Sequence, residues 1–487
     1  MGMSKQSLAI SGVVNTLDLG AKTLGRISPL RQAFVKAYDK QIKRIYEQNL
    51  SQGLQPEAVL QHRRDMALAI LHTVDRALAQ NLLGPATRQG TFKVITNEIL
   101  FAHQENEAKK AFQAQYQAIP PSLLVLSPTK SCNLHCSGCY ADSSLAGEKL
   151  PWALLEQVVQ EARQLWGTRF FVFSGGEPLA YQNNGQGVVE LAEKNPQCFF
   201  LMFTNGTLIS DSVAKKLGAI GNFTPAISVE GLKESTDKRR GTGVFDQVIA
   251  AMQRLTQAQV PFGISLTATQ DNYQEILSDE TLDFFFEKNN ALYAWVFHYM
   301  PIGRAKSLKP MLKPEQRLWL MKRMWEIVGQ KHYFLADFWN SGVLADGCIA
   351  AGGRGGYLYL DWNGNVSPCA FMPYSPVNIK DIYAQGRTLN DVWTEPFFAE
   401  IRSWQQNYNP GLRILGNHAN GNLLRPCPIR DHHAEFRKML EKYEVKPIDQ
   451  NAEQALKDPK YQKGLEDFDR QLAELLDPIW DRDYLKK

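Results

Sequence analysis

From residue 122 to about 330 the chain alternates short apolar runs with amphipathic helical stretches, and this alternation leaves few folds open. The strand-like runs are Leu123–Ser127, Phe170–Ser174, Phe199–Thr204, Pro225–Val229, Gly263–Ala268 and Tyr293–Tyr299. Between and after them lie helical stretches such as Trp152–Leu165, Asp211–Leu217, Phe245–Ala258, Leu282–Lys288 and Pro314–Val328. Strands joined in sequence by helices run parallel, with right-handed crossovers. A doubly wound open sheet and an incomplete barrel both satisfy this pattern. In either one a ligand site belongs at the carboxyl ends of the strands.

The loop after the first run carries Cys132, Cys136 and Cys139, spaced C-x3-C-x2-C. Three thiolates on one loop can hold three irons of a [4Fe–4S] cube and leave the fourth open to a small molecule. A closed zinc site needs four ligands. No fourth cysteine completes this loop, and His135, between two of the thiols, is poorly placed to do so. The segment Ser131-Cys132-Asn133-Leu134-His135-Cys136-Ser137-Gly138-Cys139-Tyr140 resembles the cluster loop of the radical S-adenosylmethionine (radical SAM) enzymes.

Further segments follow in the family's order. Ser174-Gly175-Gly176-Glu177-Pro178, after the second run, resembles the segment that hydrogen-bonds the SAM amino group. Glycine bares the backbone for close approach, and a carboxylate complements an ammonium. Thr204-Asn205-Gly206 and Ser228-Val229-Glu230-Gly231 resemble other SAM-touching segments, with Ser228 favoured for a direct hydrogen bond. Asp237-Lys238-Arg239-Arg240-Gly241 resembles the basic segment that meets the SAM carboxylate, Arg240 foremost. Tyr140 fits the aromatic near adenine, and Met300-Pro301-Ile302-Gly303-Arg304 the segment that supports it.

The resemblance favours the incomplete barrel, an α/β (β/α)6 TIM-like fold, over the doubly wound sheet. It implies that a reduced cluster passes one electron to the SAM sulfonium. The products are methionine and a 5′-deoxyadenosyl radical, which takes hydrogen from an unactivated substrate carbon. A flavodoxin- or ferredoxin-type reductant is implied as partner. Phe173, Phe203 and Trp295 line the barrel and help exclude water, or are plain core residues, the commoner role of aromatics at strand positions. His298, at the end of the sixth run, reads equally as a site residue or a hydrogen-bonded structural histidine.

A second cysteine group is Cys348, Cys369 and Cys427. Gly347-Cys348-Ile349-Ala350-Ala351-Gly352-Gly353, a hairpin around Asn363-Gly364, and Val366-Ser367-Pro368-Cys369 resemble the start of a SPASM domain. That domain holds auxiliary [4Fe–4S] clusters. The full pattern has more cysteines; these suit one auxiliary cluster, whose fourth ligand is substrate, water or a side chain such as Asp431 or His432. Cys198, in an apolar strand, reads as a core residue.

Residues 1–121 read as helical, with stripes through Leu30, Phe34, Tyr38, Ile42 and Ile45 and through Ala67, Ile70, Leu71, Val74, Ala77 and Leu78. Phe92, Ile95, Ile99 and Phe112 mark a third segment. The first helix is basic; it packs on its neighbours or lies on a membrane as a peripheral contact. The expected division is 1–121 helical, 122–335 radical SAM core, 336–440 SPASM-like and 441–487 a helical tail. A net charge of +4 without a basic stripe points away from nucleic acid. No apolar stretch reaches the ~20 residues of a membrane span, and Met1–Ile10 lacks a signal-peptide core. Together with 7 cysteines, an odd count, this sets a cytoplasmic expectation. The reading is thus a radical SAM enzyme acting on a lipid-like or peptide substrate; the other reading is a non-catalytic iron–sulfur electron carrier.

Overall fold

The computed structural model describes residues 28–53, 55–93, 107–304, 306–352, 355–409 and 421–485. Met1–Ile10, Ile95, Ile99 and Gly353 lie outside the described residues, as do the side chains of Leu30 and Phe92.

The expected parallel strands form in order: β1 (Leu123–Leu126), β2 (Phe170–Phe173), β3 (Phe199–Thr204), β4 (Phe223–Val229), β5 (Gly263–Ala268) and β6 (Tyr293–His298). Each pairs in parallel with the next, and helices cover the outside. This is the incomplete barrel, and it is wider than six strands. β7 (Phe334–Asp337) adds in parallel to β6. At the opposite edge β8 (Tyr357–Leu360) pairs in parallel with β1, Leu123 opposite Tyr357 and Leu126 opposite Leu360. The hairpin to β9 (Asn365–Ser367) turns at Asn363-Gly364 as expected, and β10 (Val377–Asn378) closes a 10-stranded sheet. The cysteine-bearing C-terminal region therefore continues the sheet of the core.

Side-chain alternation sets what faces the interior. Leu124, Leu126, Phe171 and Phe173 point outward into the helix-covered core and are fully buried. Phe173 stacks on Phe200 with ring centroids 5.5 Å apart. The expectation that Phe173 lines the barrel is thus corrected: Phe170 and Val172 take the inner face, with Phe203 and Trp295 as expected. Parallel strands buried on both faces are apolar throughout, so the run Phe-Phe-Val-Phe shows no period of two. Cys198 is fully buried in the core, and a π-helical turn replaces α-helix over Phe284–Lys288.

The N-terminal helices wrap the barrel. The helix Glu57–Ala79 packs on Pro314–Gln330 and β7, and Ser28–Gln52 lies along it, tied by Arg31 to Asp75 at 2.7 Å. Tyr38 of that first helix is buried, while Lys36, Lys40, Lys43 and Arg44 face outward. Among the described residues no helix is long and apolar enough to cross a membrane.

His62 joins this layer to the C-terminus. Its ring stacks on Trp325 at 3.9 Å, and its Nε2 lies 2.8 Å from the Tyr484 hydroxyl. Burial pushes its pKa down to about 4. The folded chain therefore keeps it neutral, while the unfolded chain takes up a proton near 6.5. The stability it contributes is complete above about pH 6.5 and falls as pH drops toward 4, by up to about 1.4 kcal/mol per unit. Urea denaturation at pH 7 and pH 4.5 should show a smaller acid loss for His62→Gln than for the natural chain. Equal losses in both would refute the assignment.

Candidate functional site

At the carboxyl ends of β1–β6 an open cavity of about 1530 Å³ brings together residues from every strand. Cys132, Cys136 and Cys139 line it, as do Tyr140, Gly175, Gly176, Glu177, Thr204, Asn205, Ser228 and Arg240. Ile302 lies instead on a neighbouring cavity, and Met300 is the member of its segment that reaches this one.

The cysteine loop is held from several sides. Gly176 N donates to Thr129 O at 2.9 Å and Glu177 N to Ser131 O at 2.8 Å, so the turn after β2 clamps the loop before its first thiol. Ser137 N donates to Arg239 O at 3.1 Å, and Arg304 N to Cys139 O at 3.0 Å. The Arg304 guanidinium also reaches Cys136 O at 2.6 Å and pairs with Asp142. Cys132 Sγ accepts from Leu134 N at 3.4 Å and from Asn205 Nδ2 at 3.7 Å. Such donors lower the charge density on a ligating sulfur and tune a cluster's potential.

Glu177 is buried. Its Oε1 accepts from Thr204 Oγ1 at 2.7 Å and its Oε2 from Asn205 N at 2.8 Å, tying β2 to β3. The Tyr140 hydroxyl lies 2.7 Å from Ser174 Oγ and accepts from Gly175 N at 3.1 Å, which fixes the ring. Ser228 stands opposite Ser265 on β5, and Ser265 and Thr267 join the lining. Glu230 sits just beyond β4, 1% exposed, and accepts from Arg239 at 2.7 Å and Arg240 at 2.5 Å. Nothing in the sequence around Glu230 marks its role; the fold makes it the common anchor of both arginines.

His298 lines the cavity with Nε2 2.9 Å from Asp337 Oδ2. The Arg430 guanidinium approaches its Nδ1 at 3.2 Å. Arginine only donates, so Nδ1 accepts and Nε2 carries the proton. Burial lowers its pKa and keeps it neutral. Its two readings therefore coincide: the ring is held by a buried network and also faces the site.

Cys348, Cys369 and Cys427 also converge. Charge on Cys427 or Cys369 raises the pKa of Cys348, which burial already pushes well above its ordinary value. Cys369 Sγ accepts from Tyr357 Oη at 2.9 Å and Phe371 N at 3.4 Å.

Comparison with known proteins matches residues 126–280 to the radical SAM superfamily and residues 348–412 to the SPASM iron–sulfur cluster-binding domain. The chain carries a radical SAM domain followed by a SPASM domain. The chain is similar to the AdoMet-dependent heme synthase of Methanosarcina barkeri, 27% identical over 54% of this chain and 80% of that one. It is also similar to a cysteine-type anaerobic sulfatase-maturating enzyme of Clostridium perfringens, 26% identical over 46% of this chain and 62% of that one. Streptococcus suis SuiB, solved with its precursor peptide SuiA, shares the fold at TM-score 0.50 and 19% identity, over 62% of this chain and 71% of that one.

The two domains imply [4Fe–4S] clusters and SAM, and the donor sets fit them. Burial pushes the Cys132 thiol up to about 11 and the Cys369 thiol up to about 12, and raises Cys136 and Cys427. A buried thiol holds its proton until a metal displaces it, and a coordinated one is deprotonated outright. The glycines fit as well: a Cβ on Gly138 would lie 2.8 Å from the Tyr299 ring.

In this cavity Glu230 pairs with two cations at once. Glu230→Ala leaves both guanidinium groups without their counter-charge in a mostly buried place, which costs about 3 kcal/mol. Because Ser137 hangs from Arg239, the variant should also lose iron faster on gel filtration. A midpoint in chemical denaturation equal to that of the natural chain would contradict this.

Proposed function

We propose that the chain is a radical SAM enzyme that cleaves SAM reductively and abstracts hydrogen from an unactivated carbon. The observation that carries this is the single cavity facing three loop thiols on one side and the Ser228, Arg239 and Arg240 side chains on another. In this reading Cys132, Cys136 and Cys139 hold the cluster, and Arg240 meets the SAM carboxylate. The Gly175-Gly176-Glu177 turn, Thr204, Asn205 and Ser228 contact the rest of its methionyl and ribose parts, and Tyr140 and Met300 belong to the adenine side. With both bound, the site supplies one-electron cleavage of the sulfonium carbon–sulfur bond, giving methionine and a 5′-deoxyadenosyl radical. The chain's own residues orient the sulfonium, keep water out and hold His298 neutral. An iron–sulfur carrier would have no need of a cavity lined by these groups.

The cavity walls support an apolar substrate over a peptide. Phe170, Phe203, Trp295, Phe297, Phe338 and Phe371 dominate the space away from the thiols. Among the described residues the charged groups of the lining are already partnered: Glu177 by Thr204 and Asn205, and the two arginines by Glu230. A flavodoxin- or ferredoxin-type reductant is proposed as electron donor.

The test is anaerobic reconstitution with SAM and dithionite. Release of 5′-deoxyadenosine is the expected result; a cluster that reduces without cleaving SAM would make the chain a carrier. Long-chain alkyl compounds should raise the rate of release more than peptides do, and stimulation by peptides alone would overturn the apolar reading.

A further inference from the structure

The SPASM region supplies three thiols, and three thiolates leave one corner of a cube without a protein ligand. Asp431 lies one helical turn past Cys427, its backbone N donating to Cys427 O at 3.0 Å. The side chain is fully buried. Its Oδ1 accepts from Arg317 Nη1 at 2.7 Å and from Arg430 Nε at 3.0 Å. Its Oδ2 is also buried, yet among the described residues no group donates to it. A buried carboxylate oxygen without a partner is costly, and a carboxylate is an iron ligand by its chemistry. We propose that Asp431, through Oδ2, is the fourth protein ligand of the auxiliary cluster.

The surroundings agree with this role. Metal-ligating carboxylates are themselves held by hydrogen bonds to their other oxygen, and Oδ1 is held by two arginines. His432, the alternative, is occupied elsewhere. Its Nε2 lies 2.9 Å from Arg425 O, and its ring packs on Tyr408 and Trp404 at 4.6 and 5.0 Å. Arg430 also bridges Asp431 to His298, so the ligand is joined by hydrogen bonds to the wall of the main cavity.

The proposal rests on the auxiliary cluster of the reading above and does not depend on SAM cleavage. The experiment uses the full chain with Cys132→Ala, Cys136→Ala and Cys139→Ala, reconstituted anaerobically, so that the auxiliary cluster alone remains. Grown with carboxyl-13C aspartate, the reduced cluster should show a 13C hyperfine coupling by electron–nuclear double resonance. Asp431→Cys should keep about four irons and lose that coupling. Asp431→Ala should drop to about three irons with the spectrum of a three-iron cluster. A labelled chain without coupling, or Asp431→Ala with unchanged iron and spectrum, would overturn the proposal. So would a triple variant that takes up no iron, since then no auxiliary cluster exists. Release of 5′-deoxyadenosine by the natural chain, assayed separately, reports on the SAM reading alone.

Discussion

Cys136→Ala abolishes 5′-deoxyadenosine formation, down to the background of a reaction without protein. The expectation follows from what the thiol does rather than from how tightly it packs. Losing one hydrogen-bond donor from a site costs about 10²–10³ in rate. Losing one of three sulfur ligands removes the cluster and with it the whole electron transfer. Iron should fall by about four per chain, leaving the auxiliary cluster's signal in place. The fold should survive, because Cys136 lies on a partly exposed loop outside the main core and that loop is tied down through backbone groups at Ser137, Cys139 and Arg304. Iron analysis, the cleavage assay and a thermal melt together check the prediction. Retained cleavage, or a collapsed melting transition, would show that the loop works in some other way.

Gly176→Ala has the second largest effect, and its cause is steric. A Cβ built on Gly176 lies 2.2 Å from Ser131 O and 2.7 Å from Lys130 O, both backbone atoms. Neither can swing aside as a side chain would. The turn after β2 and the cluster loop must separate, which breaks the bonds from Gly176 N to Thr129 O and from Glu177 N to Ser131 O. Overpacking costs about 1–3 kcal/mol and each lost hydrogen bond about 1 kcal/mol more, so a loss of about 4 kcal/mol is expected. A displacement of about 1 Å near the reacting groups costs about 10²-fold in rate. Gly185→Ala is the control: a Cβ there meets no atom within 4 Å, and only its left-handed backbone (φ +76°) is strained, a penalty of about 1–2 kcal/mol. Denaturation midpoints and cleavage rates of the two variants test the contrast; similar losses in both would refute the steric account.

The barrel and the first cysteine loop were legible because each rests on local signals. The strand runs announce themselves by apolar content, the helices by their periodicity, and the loop by spacing. What was hidden is non-local. β7 is a four-residue strand ending in Asp337, and the expected core boundary at residue 335 cuts through it. The hairpin of β8 and β9 was readable from Asn363-Gly364, but nothing in those residues says that β8 also pairs with β1. The inward face of β2 was misassigned because strands covered on both sides carry no polar residue to mark which way they point. The partners of charged groups were equally invisible: Glu230 with Arg239 and Arg240, or His298 with Asp337 and Arg430, meet only through the fold.

The edge of β1 bears on how the chain can be handled and how it must assemble. Its outer row of amides and carbonyls is covered by a strand from the SPASM half, not by its neighbours in sequence. Cutting the protein before β8 would leave that row bare, and an uncovered parallel edge recruits other chains. The isolated first half should therefore self-associate rather than act as a smaller enzyme. During synthesis, too, the outer edge of β1 stays without its partner strand until β8 has been made.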